Sequence, residues 1–175
     1  MLNQTKRTAV CSLAMLLASA CFAQTEGAKA APEPTKYFHL DFVVQELEGG
    51  KVMNARHYST TVATGEGPHI YNPTIRTGSK VPISTGSTRA DLTYIEVGVN
   101  IDCRSARETD GNLALNVAAE ISSAVTNSNR PLIRQTKWSS SVIVPVGKPT
   151  VLFSSDDLAA KGQMQLELTA TAIGL

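Results

Sequence analysis

Aromatic residues make up only 5% of this 175-residue chain, and Trp138 is its single tryptophan. A free-standing membrane β-barrel needs two aromatic girdles around an outward apolar band, so the shortage argues against one. Trp138 is expected instead to anchor a core or an interface. Histidine is as scarce: His39, His57 and His69 are the only three, whereas zinc wants three or four converging ligands. No G-x-S-x-G, H-E-x-x-H or glycine-rich phosphate loop occurs. The serines at 139 to 141 sit in an extended run where no nucleophile elbow would be built. Asp156-Asp157 has no calcium-loop pattern around it and reads as a solvated turn. We therefore expect no catalytic residue, no cofactor and no metal, and a protein that is not an enzyme.

Excess charge of either sign is also missing. Sixteen basic residues face fifteen acidic ones, for a net charge of +1, which offers no field to nucleic acid or an anionic membrane surface. Two of the bases, Lys6 and Arg7, precede an apolar run from Thr8 to Ala20 that ends in "LASACFA". That is the pattern of a secretory signal peptide, too short for a retained span. Cleavage after Ala23 is the expectation. The alternative reads "ASAC" at 18 to 21 as a lipoprotein site with a lipid on Cys21, the one route by which a membrane would hold the chain. Either way the protein is exported, to the periplasm or cell envelope. Cys11 and Cys21 are the other cysteines of the chain, so if they leave with the leader Cys103 has no internal disulfide partner and is expected to be buried as a small hydrophobe.

Residues 24–36, "QTEGAKAAPEPTK", have no period and read as a disordered linker. Residues 37–175 are expected to form a single β domain. What fills it is alternation. In "TYIEVGVNIDCR", Ile95, Val97, Val99, Ile101 and Cys103 fall on every second position, the period of a strand with one buried face. Leu113, Leu115, Val117, Ala119 and Ile121 repeat it beyond an Asp110-Gly111 turn, and Met164, Leu166, Leu168, Ala170 and Ala172 repeat it again. Phe38, Leu40, Phe42 and Val44 alternate ahead of Gly49-Gly50, which predicts a hairpin. Pairing Glu48 with Lys51 sets Phe42 opposite His57, Leu40 opposite Ser59 and Asp41 opposite Tyr58. His39 and His57 then lie on opposite faces, His57 partly packed. Residues 65–92 and 122–131 read as irregular loops, the first holding at most two short edge segments. Extended runs at 132–144 and 150–153 follow, and "SDDLAAKG" reads as a loop with room for one helical turn. With no helical period of ten residues outside the leader, the fold class is all-β: an antiparallel β-sandwich or open sheet of about seven strands with hairpin connections.

Over residues 76–153 the segments "RTGSKVPI", "TYIEVGVNID", "GNLALNVAAEISS" and "RPLIRQTKWSSSVIVPVGKPTVL" resemble, in order, the C-terminal β-domain of secretins. Secretins are the ring-forming outer-membrane proteins of type II and type III secretion and of type IV pili. The resemblance implies that module's fold and its lateral strand pairing. It does not bring a channel with it. Only a spacer and one hairpin precede the similar stretch, and "FSSDDLAAKGQMQLELTATAI" stands where the family has Gly-Gly-Leu and a proline-rich lip. The expectation is a stand-alone module lacking the ring-building domains and the lip.

Two functions follow. The first is a non-enzymatic domain that meets a protein partner or a second copy through exposed edge strands, as an accessory of an envelope assembly or a self-associating subunit. The alternative is a periplasmic sandwich that binds a polar ligand, sugar or peptide, through loop residues Tyr71, Asn72, Arg76, Asn127 and Arg130.

Overall fold

Side chains that alternate apolar and polar must bury one sheet face, and two such faces meet here. The computed structural model describes residues 34–65, 72–84, 92–126, 131–156 and 162–174, all within one compact unit, Glu33–Leu175. Eight strands form: β1 (Tyr37–Glu48), β2 (Lys51–Ala63), β3 (Thr74–Ser84), β4 (Leu92–Thr109), β5 (Asn112–Thr126), β6 (Pro131–Pro145), β7 (Thr150–Asp156) and β8 (Gly162–Ile173). One four-stranded antiparallel sheet has the order β2-β1-β8-β7 and the other β3-β4-β5-β6. The chain thus makes a hairpin in the first sheet, a four-strand meander in the second, and a returning hairpin that sets β8 against β1.

Phe38, Leu40, Phe42 and Val44 of β1 and Leu166, Leu168 and Ala170 of β8 face Val99, Ile101 and Cys103 of β4, Leu113, Leu115 and Val117 of β5, and Val144 of β6 in one buried cluster. Full burial of each Val, Leu, Ile or Phe among them contributes about 1.5–3 kcal/mol. Trp138 packs against the rim of this core with its ring 6.0 Å from that of Phe153. The Asp110-Gly111 turn closes β4 onto β5 with both residues at positive φ, 51° and 74°, the backbone a two-residue hairpin requires. Near it a bulge between Arg104 and Arg107, with Ser105 at φ 56°, changes the parity of β4 so that Ala106 rejoins the buried face.

A second bulge corrects the expected register of the first hairpin. Glu48 does pair with Lys51, but Leu47 faces Val52 and Glu46 faces Asn54, so Met53 is an extra residue on β2. Every later pair moves by one: Phe42 lies opposite Tyr58, Leu40 opposite Thr60 and Asp41 opposite Ser59. His57 faces Val43 and shares the outer side with His39; it is exposed, and Tyr58 packs on the core instead.

The loops expected at 65–92 and 122–131 are also shorter than read. Residues 74–84 are one continuous edge strand, β5 runs to Thr126 and β6 begins at Pro131. Pro82 is tolerated because odd-numbered residues of β3 face the ladder; Cys103 N–H bonded to the Pro73 carbonyl marks that phase. The N–H that Pro82 lacks would have pointed to the free edge. The helical turn considered for "SDDLAAKG" falls mostly on 157–161, outside the described residues, as does His69.

Candidate functional site

Four edge strands, β2 and β7 in one sheet and β3 and β6 in the other, leave unpaired backbone along the rims. Large apolar side chains stand exposed on three of them: Val52 and Met53 on β2, Leu132 and Ile143 on β6, and Val151 on β7, with Met53 65% and Ile143 70% exposed. Exposed apolar residues on a strand edge invite another chain.

The second sheet also outruns the first. Val99 is 2% exposed, yet Ile95, on the same face of β4, is 37% exposed, and Leu132 of β6 reaches 57%. At this point β4 parts from β5: their ladder stops at Val99–Ile121, while β3–β4 and β5–β6 continue as separate arms. The parting is built. Gly98 N–H donates to Ser122 Oγ at 3.0 Å, and that hydroxyl donates to the Gly98 carbonyl at 3.5 Å, so a side chain takes the place of the next backbone rung. Across the hairpin, Gly78 and Gly98 approach so closely that a Cβ on either would lie 2.0–2.2 Å from a carbonyl oxygen.

On the outer face of the same sheet, residues from all four strands line an open trough of about 410 Å³, with Ala118 between two ion pairs. Arg76 Nη2 lies 2.6 Å from Asp102 Oδ1, and Lys137 Nζ lies 3.0 Å from Glu120 Oε2. Gln135 Nε2 donates to the other Glu120 oxygen at 2.5 Å, and Asn100 and Ser139 complete the wall. Opposite charges cancel across adjacent strands, leaving hydrogen-bonding capacity without net charge. On the other sheet, His39 Nε2 lies 3.1 Å from Asp41 Oδ1. Among the described residues no three His, Cys, Asp or Glu converge as metal ligands.

Of the residues expected to make a ligand loop, Arg76 and Asn72 are described, and Arg76 reaches the trough from strand β3. Asn72 is exposed ahead of that strand and does not line the trough. Tyr71, Asn127 and Arg130 lie outside the described residues. The sequence reading missed Asn100, Asp102, Glu120 and Lys137. For Asn100, Asp102 and Glu120 the signal is their even position between the apolar odd residues of β4 and β5; Lys137 joins them from β6 through its pairing with Glu120.

Cys103 is buried, and burial, with the Asp102 charge beside it, pushes its thiol up to about 12. It packs as an apolar side chain and stays protonated. The Glu108 carboxyl, which accepts from Lys36 Nζ and from the Gly111 N–H, is held below its usual range by those bonds, Lys36 first.

No family model and no curated protein matches the chain. Solved structures similar to it include the secretin-domain β-barrel of InvG from the Salmonella SPI-1 injectisome, with 10% identity and a TM-score of 0.48, covering 81% of this chain and 62% of that one. GspD, the type II secretin of enteropathogenic Escherichia coli, has 9% identity and a TM-score of 0.46, over 81% of this chain and 66% of its own. This chain thus spans less than two thirds of either structure; its own fold is all-β, in two four-stranded sheets.

Proposed function

We propose that this protein is an exported β-domain that works by protein–protein contact, as a self-associating subunit or an accessory of a secretin-like envelope assembly, and that it is not an enzyme. The observation that carries the reading is the set of sheet edges bearing Val52, Met53, Leu132, Ile143 and Val151 in the open. An edge strand offers a row of backbone donors and acceptors, and apolar side chains beside it reward their coverage. The signal-like residues 1–23 support export, residues 24–36 a linker and 37–175 the working domain; the motifs over 76–153 support an envelope setting. Membrane attachment follows only if Cys21 carries a lipid.

Hydrogen exchange measured over a range of protein concentrations tests this. Amides of β2 and β6 gain protection as concentration rises. Constant exchange in a protein that sediments as a monomer throughout overturns the proposal.

A second reading, binding of a polar ligand such as a sugar or peptide, is supported by the trough that Arg76 enters. A thermal-shift screen with such ligands raises the melting temperature if it is right, and Arg76→Ala and Lys137→Ala remove the rise.

A further inference from the structure

The fork between β4 and β5 has a definite hydrogen-bonding phase. In β4, odd-numbered residues face β3, as the Cys103 N–H bond to Pro73 shows, and even-numbered residues face β5, as the Gly98 N–H bond to Ser122 shows. Beyond Gly98 the next even residues, Glu96 and Tyr94, therefore direct their N–H and C=O groups into the fork. Across it, Ser122 and Ala124 of β5 do the same, because Asn100 pairs with Glu120 and Asp102 with Ala118 in that phase. Among the described residues no backbone pairs with these groups. The side chains flanking the gap on the inner face are Ile95 and Val97 on one arm and Ile121 and Val125 on the other.

We propose that this fork is a docking slot for an extended segment of a partner polypeptide, which enters as a strand between β4 and β5 and rejoins the sheet. This deepens the protein-contact reading above and rests on it. Two flanking edges specify the occupant, since a strand lying between them must be free on both of its own edges. Each described strand of this chain already has a neighbour on at least one side, so none of them in a second copy can fill the slot. The linker expected at 24–36 has no alternation of apolar and polar residues and does not match the two faces of the slot, whereas an alternating tail or linker of another protein does. Its alternate residues must be apolar, to continue the face made by Ile95, Val97, Ile121 and Val125, and those between them small or polar, to lie beside Glu96, Ser122 and Ala124. Backbone bonding supplies affinity and the alternate side chains supply selectivity, as in strand addition generally. Ser122, which holds Gly98 at the base, sets the depth to which the segment enters.

The test uses the full chain and a fluorescent peptide of alternating threonine and valine flanked by lysines, followed by anisotropy. Tyr94→Pro and Ala124→Pro each delete one N–H that points into the fork and none that serves the β3–β4 or β5–β6 ladder. Each is expected to weaken peptide binding roughly tenfold or more, the scale of a lost hydrogen bond, with the circular-dichroism melting curve retained. Binding weakened by one proline and indifferent to the other means addition to a single edge and overturns the proposal, as does absence of binding at about 1 mM peptide, the limit of weak affinity. Should a proline variant unfold, Glu96→Cys with Ala124→Cys decides: oxidation closes the fork and abolishes binding, and reduction restores it. A peptide that binds the oxidised form overturns the slot. Concentration-dependent protection at β2 and β6 persisting without peptide binding refutes the slot alone and leaves the broader contact role standing.

Discussion

Gly78 and Gly98 face each other across the β3–β4 hairpin with their backbones in contact, leaving no volume for a side chain on either. A Cβ on Gly98 would meet the Thr77 carbonyl oxygen at 2.0 Å, and the φ of 154° at Gly98 is itself a glycine conformation. Neither neighbour can yield, because both are ladder backbone. Gly98→Ala is therefore expected to cost about 3 kcal/mol or more in urea unfolding, from strain and overpacking. Gly111→Ala meets open space and should cost less, chiefly through its positive φ.

The shifted register of β1 and β2 is checked by comparing neighbours. Tyr58→Ala removes a side chain packed on the core and is expected to destabilise by about 2 kcal/mol or more. His57→Ala should stay within about 0.5 kcal/mol, as an exposed substitution does. The reverse order would restore the unbulged register.

Leu40 and Leu168 are both fully buried on the inner face of the first sheet. Truncating either to alanine is expected to cost about 2–5 kcal/mol, measured as a lower urea midpoint at unchanged slope.

Cys103 gives a pH signature. Its thiol is pushed up to about 12 in the folded protein, above its value in an unfolded chain. The folded state therefore holds this proton more tightly, and the resulting stability is complete below the unfolded thiol's range and drains away as pH rises towards 12. Alkaline melting curves of the wild type should fall more steeply than those of Cys103→Ala. At neutral pH a thiol reagent should label Cys103 only at the rate of unfolding.

Glu108 behaves in the opposite sense. Its carboxylate is stabilised by Lys36 and by the Gly111 N–H; the stabilisation is present above the ordinary glutamate range and is lost as pH falls through the lowered value. Carbon-detected NMR titration should place Glu108 below unbonded glutamates. Lys36→Met should move it part of the way back, since the Gly111 bond remains.

Much of the architecture was legible because its signal is local. Phe38 to Val44, Val99 to Cys103 and Leu113 to Ala119 alternate cleanly, and Asp110-Gly111 names its own turn. Met53 was not legible: apolar residues in β2 are sparse, so nothing in 51–63 betrays the extra residue that shifts His57 outward. Strand β3 was hidden by Gly78 and Pro82, which look like loop residues until one knows that the proline's missing donor faces a free edge. The trough was hidden for a different reason. Arg76, Asp102, Glu120 and Lys137 meet only through pairings across four strands, and a register error of one residue in any strand would scatter them to opposite faces.

The pairing of β1 with β8 joins Phe42 to Leu168 across most of the chain's length. While the polypeptide is being made, β1 has β2 on one side and no ladder partner on the other until Leu166, Leu168 and Ala170 have emerged, and closing so long a circuit is slow. The first sheet therefore gains its inner seam only when the final hairpin is released, so the last strand to be made is the one that closes the fold.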